Sequence, residues 1–417
     1  MDMNLQNKKV LGINGIGRIG KLTLWNHLSS KHFDRIVINA GREIGKRTDD
    51  VIHYLTTDST YGNLDRFLYG YTGKSCNIKV IDEGETLFEI DGIPVKILKE
   101  SRNPRDIKWS KEGVRLVVDC TGKFLDPTLS PDHPKGSVRG HLEAGAEKVV
   151  VSAPFKIADN SRRMHDDFST FVYGINHSGY DPFKHHIVSA ASCTTTGLAH
   201  MMKPLLDTKE TASILTASMT TVHAATNNQN ILDAPPKAGS KDLRKNRSAL
   251  NNMIPTTTGA AIALEEILPE IKSVGFMADS IRIPTNTVSL ISLNLTFRTE
   301  KDESGNPVIT QDFINDVYRK AAAGAQKDLL LFSEQQNVSG DLMGKQAAVI
   351  IEGLETHTRT GFLSLDTEAL EKCGVDFEQD LNVPLTHAKV FGWYDNEYGC
   401  YVNCLGKLTK YLEKNLF

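Results

Sequence analysis

Cysteine is scarce in this chain, and none of it is spaced for a metal. The six cysteines are Cys76, Cys120, Cys193, Cys373, Cys400 and Cys404. Cys400 and Cys404 have no second pair to complete a ligand set, so no metal site is expected. Charge of either sign is not in excess: Lys and Arg number 48 against 51 Asp and Glu, a net charge of −3. That argues against nucleic acid or an anionic membrane as an electrostatic partner. No apolar run is long enough to span a bilayer, and the opening MDMNLQNKK has no apolar signal core. Reduced thiols in a cytoplasmic protein are the expectation. Internal repeats and low-complexity segments are absent as well. What remains is an ordinary globular composition, 40% hydrophobic and 24% charged over 417 residues. That length suits two or three domains with sizeable cores.

The most informative stretch runs from Ser189 to Leu206. Ile187 and Val188 end an apolar run, and small and hydroxyl residues follow. Leu198, Met201, Met202, Leu205 and Leu206 then repeat with helical spacing. Cys193 therefore falls where a strand becomes a helix N-terminus. Free N–H groups there favour an anion and lower a thiol's pKa. The alternative is a small buried cysteine filling a turn.

Near the start, the strand-like Lys8–Asn14 leads into Gly15-Ile-Gly17-Arg-Ile-Gly20 and then an amphipathic helix through Leu22, Leu24, Trp25 and Leu28. A G-x-G-x-x-G between strand and helix is a dinucleotide fingerprint. The next strand, Arg35–Asn39, ends at Ala40-Gly41-Arg42, where an acid would hold ribose hydroxyls and repel a 2′-phosphate. The missing acid and nearby Arg42 lean toward a phosphorylated ribose, unless Arg42 is only a solvated loop charge. Strands are also expected at Cys76–Ile81, Val95–Leu98, Leu116–Cys120, Lys148–Ser152 and Phe171–Tyr173, with a helix near Gly140–Gly145 and a proline-rich loop at Asp126–Val138. This alternation indicates a doubly wound α/β domain. After Cys193 come long strands, Ser213–His223, Val288–Arg298, Ala347–Ile351 and Lys389–Trp393. They suit an α+β domain on a mostly antiparallel sheet. The expected division is 1–192 for the first domain, completed by a terminal helix at 396–417, and 193–395 for the second.

His223 ends its strand, where an imidazole can serve a thiol or merely satisfy the core. The segment Pro255-Thr-Thr-Thr-Gly259 opens a helix expected over Gly259–Ile271. Its hydroxyls suit a phosphate or simple capping. Arg282 and the basic loop Lys237–Arg247 offer cations, although a charge run is most often a solvated face.

Taken together these motifs resemble the phosphorylating glyceraldehyde-3-phosphate dehydrogenase family across nearly the whole chain. The carriers are Ile13–Gly20, Ala191–Thr195, Thr220–Ala224, Ile254–Ala261 and Trp393–Gly399. The resemblance implies a Rossmann-type dinucleotide domain joined to a catalytic domain. It implies NAD- or NADP-dependent oxidation of glyceraldehyde 3-phosphate with inorganic phosphate. Erythrose 4-phosphate as the aldehyde, or a non-catalytic nucleotide-binding descendant, are the competing readings.

By the same resemblance Cys193 is the nucleophile and His223 the base that steadies its thiolate. Ser192, Thr194, Thr258, Gly259 and Arg282 match the inorganic-phosphate side. Thr226, Lys245 and again Arg282 match the substrate-phosphate side. Gly15, Gly17, Arg18, Ile19, Gly20, Ala40, Arg42, Arg102, Thr121, Gly122 and Asn396 match positions around the cofactor. Residues 231–247 resemble a loop that packs on a neighbouring subunit of a homotetramer. Departures from the family pattern are Ala40, Ala190, Gly197, Ala225, Asn228 and Lys245, the last lacking arginine's bidentate fork. Extra residues fall at 126–138 and 354–386.

Overall fold

The apolar runs Val10–Asn14, Arg35–Asn39, Leu116–Asp119 and Lys148–Val151 do form buried strands, the backbone pairing leaving their side chains nowhere to go but inward. They belong to a computed structural model that describes residues 8–159, 166–236, 238–240, 242–374 and 381–416. The chain divides into two units, one of Met1–Ser192 with Tyr401–Phe417 and one of Cys193–Cys400. Asn396 therefore lies with the second unit.

The first unit holds a nine-stranded sheet among the described residues. Val10–Asn14 sits centrally, flanked by Arg35–Asn39 and Leu116–Asp119, all parallel. The order reverses between these neighbours, which opens the crevice where a doubly wound sheet takes its ligand. Ile93–Leu98, Leu87–Ile90 and Ile78–Asp82 extend one edge, the last two antiparallel. At the other edge the pairing strand is Phe168–Thr170. The expected strand at Phe171–Tyr173 falls just beyond it: Phe171 N–H still donates to the Ser189 carbonyl at 2.9 Å, and a turn begins at Tyr173. Helices Arg18–Ser30 and Asn403–Lys414 belong to this unit, the second following a short π turn at Tyr398–Val402.

A buried polar chain crosses the ends of the central strands. Trp109 Nε1 donates to His141 Nδ1 at 2.9 Å, and His141 Nε2 meets Asp119 at 3.0 Å. Asn14 donates to the same Asp119 oxygen at 2.9 Å and accepts from Asn39 at 2.9 Å. Burial alone would raise the Asp119 pKa, but the bonds from His141, Thr121 and Asn14 outweigh it and hold the carboxylate below its usual range.

The second unit carries an eight-stranded mixed sheet. Ile214–Ala224 pairs antiparallel with Ser289–Arg298 on one side and parallel with Gly275–Ile283 on the other. Leu381–Tyr394 pairs with Ser289–Arg298 and His357–Leu365, so much of the segment 354–386, read above as extra, is a β-hairpin arm. Residues 375–380 of that insertion, and Lys237 and Lys241 of the basic loop, lie outside the described residues. The helix expected at Gly259–Ile271 spans Ala260–Ile267 and tightens to a 3₁₀ turn at Pro269–Ser273, where proline breaks the α ladder.

Candidate active site

Cys193 is the first residue of helix Cys193–Leu206. Leu198, Met201, Met202 and Leu205 bury one face of that helix completely. At about 1.5–3 kcal/mol for each side chain, this packing seats the thiol firmly. The preceding Ala191 has φ 57, a left-handed conformation rare outside glycine.

Cys193 Sγ lies 3.5 Å from His223 Nε2. His223 is near the end of strand Ile214–Ala224, only 4% exposed. Its cross-strand partner is Arg282 on Gly275–Ile283. His223 Nδ1 faces two groups of opposite demand: the Ala224 carbonyl at 2.8 Å, which accepts, and the Arg282 guanidinium, which donates. Arg282 also reaches the Ala224 carbonyl at 3.2 Å. With the proton on Nδ1 and given to Ala224, Nε2 is an acceptor directed at the thiol.

Electrostatics here correct one expectation. Burial pushes the Cys193 thiol above its ordinary range, against the opposing pull of Arg282 and Thr194. Burial first, then the Arg282 charge, holds His223 down at about 4. Burial thus works against the charged form of both groups, thiolate and imidazolium alike. Desolvation exceeds the benefit of the helix N-terminus.

Arg282 Nε is buried without a hydrogen-bond partner. An orphaned guanidinium donor beside a nucleophile suits an anion such as phosphate. Thr194 shares a 3.0 Å hydrogen bond with the hydroxyl of Tyr394, which also bonds Thr221 at 2.6 Å. The Tyr394 ring stands edge-on to His223, centroids 6.0 Å apart. Sequence reasoning passed over Tyr394, although it lies within Trp393–Gly399. Asn396 accepts from Ser289 at 2.9 Å, and Ser289 in turn accepts from the Ala224 N–H at 3.0 Å.

Thr258 accepts from Ala260 N–H at 3.2 Å, just ahead of Gly259 at the helix N-cap. Thr226 gives its hydroxyl to Gln229 at 2.9 Å. Lys245 is exposed in the turn Leu243–Asn246. Ser192 closes the first unit.

Within the first unit a cleft of about 760 Å³ is lined by Gly15, Gly17, Asn39, Ala40, Arg42, Arg102 and Thr121, among others. Its glycines meet the demands of a dinucleotide. Gly15 has φ +95, and a Cβ on Gly20 would fall 1.9 Å from the Gly15 carbonyl oxygen. A Cβ on Gly17 would meet nothing within 4 Å, which leaves room for a pyrophosphate. Asn39 Oδ1 is buried without a donor, as an acceptor for a ribose or adenine group would be. Arg18 turns away to an ion pair with Asp58, which Lys21 also joins at 2.9 Å. Ile19, Gly20 and Gly122 do not line the cleft.

The profile of the glyceraldehyde 3-phosphate dehydrogenase NAD binding domain matches residues 9–127, and that of the C-terminal domain matches 192–396. The chain is similar to the protein named glyceraldehyde-3-phosphate dehydrogenase in Streptomyces coelicolor, 34% identical over 407 residues, or 97% of this chain and 99% of the relative. A Bacillus subtilis protein, glyceraldehyde-3-phosphate dehydrogenase 1, is 33% identical over 404 residues, covering 97% and 98%. The Geobacillus stearothermophilus glyceraldehyde-3-phosphate dehydrogenase is 35% identical over 390 residues, covering 93% and 94%. With both domains matched and these relatives aligned almost end to end, the chain belongs to the glyceraldehyde 3-phosphate dehydrogenase family.

Proposed function

We infer that this protein oxidises glyceraldehyde 3-phosphate, with inorganic phosphate, to 1,3-bisphosphoglycerate in a reversible reaction. The observation that carries this reading is the 3.5 Å contact of Cys193 Sγ with His223 Nε2 beside the unpartnered Arg282 Nε. Cys193 attacks the aldehyde carbon while His223 Nε2 takes the thiol proton and returns it to the developing alkoxide, forming a thiohemiacetal. The dinucleotide, when bound, supplies the hydride acceptor that turns the thiohemiacetal into a thioester. His223 takes the hydroxyl proton in that oxidation. Arg282 steadies the incoming phosphate, which displaces Cys193 from the acyl group. Tyr394 holds Thr194 and Thr221 in place around the pair.

NADP serves at least as well as NAD in this reading, supported by Ala40 at the second strand's end. A homotetramer is supported by the exposed apolar residues Ile231, Leu232 and Leu243 in the segment assigned to subunit packing. The described residues contain no helix long and apolar enough to cross a membrane. The test is reduced-cofactor absorbance with glyceraldehyde 3-phosphate or erythrose 4-phosphate, with and without phosphate. Cys193→Ser should abolish turnover while dinucleotide binding persists. Near-normal turnover in that variant would end the covalent mechanism.

A further inference from the structure

The dinucleotide cleft is lined by four cationic side chains, Arg42, Arg102, Lys123 and Lys135, and by no carboxylate. A pyrophosphate needs few of them, because the Gly15–Gly20 turn presents backbone N–H groups at a helix start. Lys135 comes from the inserted segment 126–138, to which the sequence assigned no role. Pro134 and Gly136 of the same insertion also line the cleft.

This insertion is built to stay where it is. Gly136 has φ +79, and a Cβ there would fall 2.7 Å from Phe124 and 3.1 Å from Pro104. Its N–H donates to the His133 carbonyl at 2.8 Å. Ser137 Oγ donates to Leu129 O at 2.9 Å, and Arg139 Nε to Pro127 O at 2.6 Å. Arg139 then forks onto Asp167 at 2.8 and 2.7 Å. The acids that could neutralise the cleft are engaged elsewhere. Asp132 pairs with Arg105, and Glu43 meets Lys99 at 3.4 Å. Asp126 caps Thr128 through its N–H and hydroxyl at 2.9 and 2.6 Å. Arg42, Lys123 and Lys135 have no ion pair among the described residues, so their charge is left for a ligand.

We propose that the inserted loop 126–138 is a specificity element of the dinucleotide cleft, with Lys135, Lys123 and Arg42 clamping the 2′-phosphate of a phosphorylated adenosine ribose. The proposal rests on the NADP reading above and names what enforces it. Ala40 removes the repulsion a carboxylate would exert, and the loop supplies the attraction. A 2′-phosphate carries more than one negative charge near neutral pH, so several separated ammonium and guanidinium groups suit it better than one.

The test is calorimetric binding of 2′,5′-ADP and 5′-ADP to the full-length protein, with Lys135→Ala, Lys135→Glu and Lys123→Ala beside the wild type. The wild type should bind 2′,5′-ADP more tightly, with the preference fading as salt rises. Lys135→Ala should weaken 2′,5′-ADP by about fivefold, the value of one exposed charge contact. Lys135→Glu should weaken it further, and 5′-ADP affinity should fall less than 2′,5′-ADP affinity in every variant. If the wild type prefers 2′,5′-ADP and the lysine variants match it, the loop has no such role while the NADP reading survives. If the wild type does not distinguish the two probes, both fall. Loss of aldehyde oxidation with 2′,5′-ADP selectivity intact would instead overturn the reading of the reaction and leave the clamp standing.

Discussion

Arg282 presses on both members of the Cys193–His223 pair, and in the same direction. Its positive charge disfavours the imidazolium and favours the thiolate, so removing it should raise both pKa values. Two like charges about 4 Å apart at an effective dielectric of about 20 repel by about 4 kcal/mol. Arg282 is only partly buried, so hydration screens much of that repulsion at both groups. Iodoacetamide alkylates the thiolate, so the rate at Cys193 tracks its thiolate fraction. Followed by mass spectrometry of the Cys193 peptide from about pH 6 to about pH 10, the Arg282→Leu profile should shift to higher pH. At a fixed pH near 8 alkylation should therefore be slower than in the wild type. Arg282→Lys keeps the charge and should stay close to wild type. Saturating inorganic phosphate should move the wild type in the same direction and leave Arg282→Leu where it is. An Arg282→Leu profile that superimposes on the wild type would refute the electrostatic account of the pair.

Two glycines separate folding from binding. Gly20→Ala should lower the melting temperature of the ligand-free protein, because its Cβ would fall 1.9 Å from the Gly15 carbonyl oxygen, an overpacking of about 1–3 kcal/mol. Gly17→Ala has open space and should leave melting unchanged while weakening dinucleotide binding measured by fluorescence titration. Equal melting in the two variants would contradict this. His27 gives a pH-dependent case. It is fully buried with both ring nitrogens unpartnered, edge-on to Phe33, and burial, then nearby Lys410, lowers its pKa from 6.5 to about 3. The unfolded chain therefore binds a proton between those values that the folded chain refuses. The stability present above about pH 6.5 is lost as pH falls toward 3. At pH 5 that loss is about 2 kcal/mol. His27→Leu should flatten this part of the urea-unfolding profile between about pH 7 and pH 5, and an unchanged slope would show that His27 is not responsible.

Much of this architecture is local and therefore legible in sequence. Gly15, Gly17 and Gly20 lie within one turn, and their roles depend on neighbours a few residues away. Cys193 is marked by the switch from apolar run to helical spacing within its own segment. Arg282 is different. Gly275–Ile283 gives no clean alternation, because its strand lies at the exposed side of the sheet, with Met277 70% exposed. Its parallel register against Ile214–Ala224, which sets Arg282 beside His223, is a long-range fact no local pattern records. Thr226 donates its hydroxyl to Gln229, whereas Thr258 accepts from Ala260 N–H and keeps its own O–H to give. The direction of the Cys193 shift was missed for a related reason: burial arises from the whole unit, and a helix start is visible locally. Lys135 was hidden by its setting, since a proline-rich surface loop carries no local sign of the cleft its exposed lysine lines.

The buried chain from Trp109 through His141, Asp119 and Asn14 to Asn39 divides the labour of the first unit. Each link fixes the donor sense of the next: the indole can only donate, so His141 carries its proton toward Asp119, and the Asn14 amide is oriented by what remains. Three adjacent strand ends are thereby locked as one template, with no rotatable polar group left over except the Asn39 acceptor that faces the cleft. Ala40, Arg42, Lys123 and Lys135 lie outside that chain. Cofactor preference can therefore change at the rim while the frame that positions any dinucleotide stays the same. A lineage could exchange one cofactor for another by altering loop residues alone, with no cost to the core.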